Sequence, residues 1–438
     1  MRIMFRLLFG AWAAALPTAA AAAATLPHYA PQQSVGAGTC ASSMCHGAIE
    51  PWKDSKVLQN EYVIWSRNDK HARAYSVLLS ARSKDIANRL GMKQPPHEAA
   101  VCVDCHAHNP APERRDDRFV VSDGVTCEAC HGPAGNWLKS HVEPNATHAG
   151  NIASGLYPAD NDVARARLCL SCHLGNEQKF VTHKMMAAGH PRMSFELDTF
   201  TEIGPKHVRV DADRHKRRDS ARTWAIGQAV AAEQLLGLLR SPKRGRDGLF
   251  PELVLFDCHS CHHAMGEKRN TAARVAAGPG VVRLNDSALL MLRQIARRVD
   301  AGRAQALGQE VARLHRSIAH GDDALAQARV VQDMVAAIIP RIERYNFTTE
   351  DLRGMMLGII DDGLAGQYVD YQGAEQATMA MQGMVDFLRR QGLLRAPAVR
   401  RTMTKLLAAV ARDEKYQPAA FEQTLKELRI EVEKGMVK

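Results

Sequence analysis

No cysteine in this sequence stands alone, no apolar run after the first two dozen residues is long enough to cross a bilayer, and strand-like patterning is almost missing. Each absence excludes something. Without a later uninterrupted run of about 20 apolar residues, no membrane-spanning helix is expected past the N-terminus. Pro and Gly number only 19 and 31 among 438 residues, and 46% of the chain is hydrophobic, so neither a disordered nor a fibrous chain fits. The single decent strand-like run is Leu253 to Phe256. What remains is a mainly α chain, long enough for two or three domains with real cores.

The first residues bear on the compartment. Arg2 and Arg6 form a basic start, Leu7 to Leu16 a short apolar stretch, and Ala19 to Ala24 a small-residue run. This order reads as a signal peptide over residues 1–24, so the mature protein is expected in the periplasm. The formal net charge is +10 with a sequence pI near 9.2. A basic balance ordinarily points to nucleic acid or anionic surfaces. In an exported chain the nucleic-acid reading fails, and the excess Lys and Arg are expected mainly to pair with bound acidic groups.

The ten cysteines form five pairs, each followed at once by histidine. Four have the spacing C-x-x-C-H: Cys102, Cys105 and His106; Cys127, Cys130 and His131; Cys169, Cys172 and His173; Cys258, Cys261 and His262. The first pair is wider, with four residues between Cys40 and Cys45 before His46. At the chain's own Cys and His frequencies, chance supplies roughly 0.01 copies of C-x-x-C-H, which is the haem c attachment signature. Two thiols add across the two vinyl groups on one porphyrin edge, and the adjoining imidazole reaches the iron as proximal ligand. Four intervening residues span the same vinyl pair with a looped-out turn. Disulfides leave the repeated histidine unexplained, and zinc sites use two cysteine pairs per metal. A thioredoxin-like redox pair would appear once, near a βαβ pattern. Five covalently bound haem c groups are therefore expected, and their propionates account for the excess of basic side chains.

All the cysteines and most histidines lie in residues 25–269, the expected pentahaem cytochrome domain. Residues 270–283, with Gly-Pro-Gly inside, read as a linker. Residues 284–438 carry helical patterning, no cysteine, and only His315 and His320. They read as an antiparallel helical bundle, with caps at Asp286 and Thr348, ends at Gly392 and near Gly435, and Pro340 kinking or ending one helix. In the haem half, a long helix is expected from about Glu61 to Leu90, with Ile64, His71, Tyr75 and Leu78 on one face, and another from Arg222 to Arg240.

Five segments also carry a family likeness: G-T-C-A-S-S-M-C-H-G, D-K-H-A-R-A-Y, G-V-T-C-E-A-C-H-G-P-A-G-N-W, M-A-A-G-H-P-R-M-S-F-E and F-D-C-H-S-C-H-H. Over about residues 35 to 265 they resemble the cytochrome c-554 family, whose type member is a tetrahaem electron acceptor. The fifth cysteine pair and the helical C-terminal half depart from that member. The resemblance implies closely packed haem pairs, mostly ligated by two histidines, with one haem lacking a distal protein ligand.

The sixth position on each iron decides the function, because a second histidine closes it and a vacancy admits a small molecule. The distal candidates are His71, which the family pattern assigns to the third haem, and His141, which the resemblance assigns to the first. His183 and His190 are expected to serve the fourth and fifth. Four candidates for five haems leave the second, on His106, as the expected open site, with Met185, Met186 or Met193 as the minor alternative. His28 reads as a mobile residue near the mature N-terminus, and His97, His108, His148, His207 and His215 as surface or loop residues. The expected function is electron transfer between a redox donor protein and an acceptor protein, with peripheral association with a membrane-bound redox complex in view. The alternative is an oxidoreductase acting on a small nitrogen or sulfur compound at one open haem, with Arg114, Arg115 and His108 near it in sequence. A third reading gives the C-terminal bundle a docking role. The basic runs Arg214 to Arg218 and Lys243 to Arg246 read as solvated loops or propionate contacts before they read as docking patches. The methionines near Met355, Met356, Met379, Met381 and Met384 read as core filling.

Overall fold

The computed structural model describes residues 24–55, 57–207, 219–246, 252–263, 282–320, 323–395 and 397–435. The expected signal peptide up to residue 23, most of the expected linker, His215 and the basic run 214–218 lie outside the described residues. Among the described residues there is no sheet, only two isolated bridges, Ser34 with Arg115 and Phe256 with Leu284. Among the described residues no helix is long and apolar enough to cross a membrane.

The C-terminal half folds as the helical periodicity implies. Its helices are Ser287–Val299, Ala301–His320, Ala324–Arg344, Thr349–Leu364, Tyr371–Arg390, Pro397–Ala409 and Pro418–Gly435. Short connections fold successive helices onto one another. Thr348 opens its helix with a capping box in which its side chain accepts the Asp351 amide while Asp351 accepts the Thr348 amide. Gly392, with φ +71°, follows the helix that ends at Arg390. Pro340 does not end its helix, which runs four residues further to Arg344 with Ile338, Ile339 and Ile342 buried around it. Met355, Met356, Met381 and Met384 are buried in the core.

The long helix Ser220–Arg240 joins the halves. It packs most extensively on Ala324–Arg344, then on Ser287–Val299, and on its other side against Asp162–His173. One apolar core accordingly runs from Leu170, Phe180 and Leu197 through Trp224 and Leu236 to Leu284, Leu428 and Val432. Packing therefore crosses the expected linker without a break.

The region before residue 207 is built differently. Its helices are short, and its apolar clusters are small: Val35, Ala134 and Trp137 in one, Leu78, Val103 and Ala107 in another. The long helix expected from Glu61 to Leu90 is four pieces: Glu61–Asn68, the 3-10 turn Lys70–Arg73, Ala74–Val77 and Ala81–Arg89. Asp69 breaks it. Its backbone is extended and its carboxylate accepts the His71 amide, which caps the next turn instead of continuing the last. Ser80 caps the final piece in the same way through the Ser83 amide. Leu253–Leu255 is a 3-10 turn, not a strand, and Phe256 alone pairs with Leu284.

Candidate functional site

Each motif histidine sits at the end of a local turn that its cysteines help to form. Ala37–Cys40, Ala100–His106, Cys127–His131 and Asp162–His173 are short α-helices, and Cys258–Ser260 is a 3-10 turn. None of the ten cysteines forms a disulfide. The wide first loop closes tightly on Gly47, where a Cβ would stand 1.9 Å from the Ala41 carbonyl oxygen. Gly132, after the third motif, takes φ +82° with no room for a side chain against Gly155. Inside that motif the Glu128 carboxylate, 1% exposed, accepts the amides of Val35, Gly36 and Ala134 and ties three segments together. Burial pushes its pKa up despite those bonds.

Every motif histidine faces one other histidine. Ring centroids are 6.4 Å apart for His46 and His141, 6.5 Å for His106 and His190, and 6.5 Å for His131 and His207. They are 6.1 Å apart for His173 and His71, and 6.3 Å for His262 and His183. Two imidazoles gripping one metal from opposite sides, with bonds of about 2 Å, put their ring centres roughly 6 Å apart. The ring planes lie at 13° in the first site and 34° in the fifth, and at 87°, 83° and 84° in the second, third and fourth.

Second contacts hold the rings in place. The Nδ1–H of His46 donates to Glu61 Oε2 at 2.9 Å, and that of His71 to Asp69 Oδ1 at 2.9 Å. His106 donates to the Ala74 carbonyl, His141 to that of Leu138 and His190 to that of Pro191. Nδ1 is thereby occupied and Nε2 left for a metal, the tautomer that axial ligation needs. Burial lowers the pKa of His131 and His173 to about 4, keeping these imidazoles neutral. His190 follows the helix His183–Ala187, which stops at Gly189 with φ +118°. Arg82 and Arg89 donate to the Gly189 and Ala188 carbonyls and so swing His190 toward His106. Glu252 accepts the His183 amide at 2.7 Å, which ties that ligand to the segment leading into the fifth motif.

The motifs also touch each other. Cys40 lies beside Cys127, and Cys105 beside Cys172, which puts the first motif against the third and the second against the fourth. Burial pushes Cys130 up to about 12, and the Cys169 and Cys172 thiols beside it push the same way, so the third and fourth motifs are neighbours too. A cleft lined by His173, Arg192, Phe195 and Gln372 runs from the fourth motif toward the fifth. There Gln372 lies 4.0 Å from the Cys258 sulfur, and the His259 Nε2–H donates to the Asp413 carbonyl.

These placements differ from sequence expectation at several points. His71 faces the fourth motif histidine, not the third. His190 faces His106, so the site expected to be open has an imidazole on both sides. His207, expected to be a surface or loop residue, faces His131. No periodicity marks it; the shortfall of one distal candidate was the available signal. His28 is not free at the N-terminus: it packs edge-on against Tyr29, and burial lowers its pKa to about 4. His108 is buried against the Ser34 hydroxyl at 2.9 Å. Arg114 donates to the Tyr29 and Ala30 carbonyls, and Arg115 to the Pro110 carbonyl and Asn109 side chain. Those three side chains are spent on structure. Arg244 donates to the Glu177 and Gln178 carbonyls and lies over Phe180, a structural contact also.

The donor set fits haem c: paired thiols, an imidazole directly after the second, and a second imidazole across a gap of one metal. Apolar side chains left on the surface beside the second site, Val77, Leu79 and Val101 among them, fit a flat apolar group as well. No group of three or more His, Cys, Asp or Glu side chains forms a metal cage among the described residues. These features define a c-type cytochrome, a protein that binds haem covalently and works in electron transfer. Residues 39–132, which contain the first three motifs, match the family model described as cytochrome c554 and c-prime. Over that stretch the chain is similar to that family. No curated protein and no solved structure matches the chain significantly.

Proposed function

We propose that the protein is an exported, periplasmic pentahaem cytochrome that carries electrons between a donor and an acceptor protein. Haem c, when bound, supplies an iron that cycles between ferric and ferrous and so holds one electron. The observation that carries the reading is the set of five histidine pairs, each joining one motif histidine to one other at 6.1–6.5 Å. Ten thiols would anchor the groups, and each pair of imidazoles would hold one iron from both sides and leave it no coordination site for a substrate. Cys40 lies beside Cys127 and Cys105 beside Cys172, so neighbouring anchoring sites are close, which supports continuous electron passage. Arg2, Arg6 and the apolar run after them support export.

The intact mass of the matured protein tests the count: five haem additions are expected, on a chain that has lost its first two dozen residues. Its ferric spectrum is expected to be wholly low-spin, with no carbon monoxide binding after reduction. A high-spin component, or turnover of nitrite or hydroxylamine with a reduced dye, would favour the small-molecule oxidoreductase instead.

A further inference from the structure

Five of the ten facing histidines have a defined acceptor on Nδ1, and the acceptors are of two kinds. For His106, His141 and His190 it is a neutral backbone carbonyl. For His46 and His71 it is a carboxylate, Glu61 and Asp69, at 2.9 Å in both cases. Both carboxylates are pinned by amides. Glu61 Oε1 accepts from Leu58 and Gln59, and Asp69 Oδ1 accepts from the His71 amide as well as from its ring. No Lys or Arg forms an ion pair with either one among the described residues, so neither charge is neutralised by a neighbouring cation. The arrangement also explains the broken helix. Asp69 turns the chain where a regular helix would have carried His71 past its acceptor.

A carboxylate that accepts the Nδ1 proton makes the imidazole a stronger electron donor, and more donation at an axial position favours ferric over ferrous iron. The negative charge nearby acts in the same direction. Neutral carbonyls polarise the ring much less. We propose that Glu61 and Asp69 are positioning residues that give the irons held by His46/His141 and by His71/His173 the two lowest reduction potentials in the molecule. This rests on the five-haem reading. No proton leaves either imidazole; the hydrogen bond shifts electron density only.

The ring angles make the two sites distinguishable. The first has nearly parallel planes at 13° and the fourth crossed planes at 84°, and parallel and crossed imidazoles give different low-spin ferric resonances. The experiment is a potentiometric titration of the matured holoprotein followed by electron paramagnetic resonance, after its mass has established the haem count. In the wild type, the last two ferric signals to vanish on reduction should be one near-parallel and one crossed. Glu61→Gln should raise the midpoint of one near-parallel signal, and Asp69→Asn that of one crossed signal. Each should shift the ferrous-to-ferric ratio at fixed potential about tenfold, equivalent to about 59 mV for one electron. Both substitutions keep an acceptor for the amides. The wild-type filling order tests the idea even where a variant loads poorly. Five haems with unmoved midpoints in both variants, or two last signals of one kind, would overturn the inference and leave the five-haem reading standing. Fewer than five haems would overturn that reading itself.

Discussion

The helix Ser287–Val299 buries Leu289, Leu290, Met291, Leu292 and Ile295 in one continuous core, whereas Glu61–Asn68 and the two turns after it bury none of their residues. The first belongs to a bundle held by hydrophobic burial, in which area removed from water outweighs chain entropy. The second belongs to a region that reaches the shared core only from Asp162–His173 onward, and whose own apolar clusters hold three buried residues apiece. So little packing does not offset the ordering of nearly two hundred residues. What would complete that region is haem c, which the paired thiols and facing imidazoles would hold and which would replace side-chain packing with its own apolar faces. The two halves are stabilised by different chemistry although they share the helix Ser220–Arg240.

The largest test of this contrast removes the anchors. With all ten cysteines changed to alanine, residues up to about 207 should lose their fixed structure because nothing there binds N over U. The helices from Ser220 to the C-terminus should remain. Limited proteolysis would then digest the N-terminal half and spare a fragment beginning near residue 219, with much of the helical circular dichroism retained. An N-terminal half that resists protease without haem would break the contrast outright.

A second test probes the shared core. Leu292 is fully buried in it. Leu292→Ala should cost about 3 kcal/mol from lost transfer energy and the cavity left behind. Because one core runs from Leu292 to Leu170, inside the fourth motif, the loss should also loosen the site of His173. Hydrogen exchange at Leu170 to His173 reports it. Unchanged protection there, alongside a destabilised bundle, would show that the halves are uncoupled.

How much of this was legible in the sequence follows the same division. Wherever burial decides the structure, periodicity reports it: the bundle helices, the Thr348 cap and the ends near Gly392 and Gly435 are where the pattern puts them. The cysteine motifs are legible for a separate reason, since attachment chemistry demands their spacing outright. The second ligands are only partly legible. A distal histidine must reach an iron brought from elsewhere in the chain, so its position follows from tertiary geometry and not from its neighbours. His207 carries no local signal for this reason, and the partners of His71 and His190 were misassigned although both residues were found. The continuous helix expected over Glu61 to Leu90 fails because Asp69 bonds to His71, a functional requirement that overrides propensity.

The smallest test lies within the haem half and asks whether a polar clamp there acts on its own. Glu128 is buried, and three amides converge on it, two from Val35 and Gly36 and one from Ala134 just past its own motif. In Glu128→Gln the amide oxygen can keep Val35 and Ala134, but the new NH₂ meets the Gly36 N–H, donor against donor. The cost should be about 1–2 kcal/mol, one buried donor left without a partner. Burial holds the wild-type carboxyl above its ordinary pKa, so the folded state binds its proton more tightly than the unfolded chain does. The stability tied to that proton is complete below the usual carboxylate value. It is lost as pH climbs from there through the folded value, and stays lost above it. The glutamine variant has no such titration, so its deficit against wild type should be greatest at about pH 4 and smaller at about pH 7.5. Urea unfolding of both holoproteins at the two pH values measures it. A deficit that widens toward neutral pH would mean that the charged carboxylate, with its three amides, is the favoured form in the folded protein.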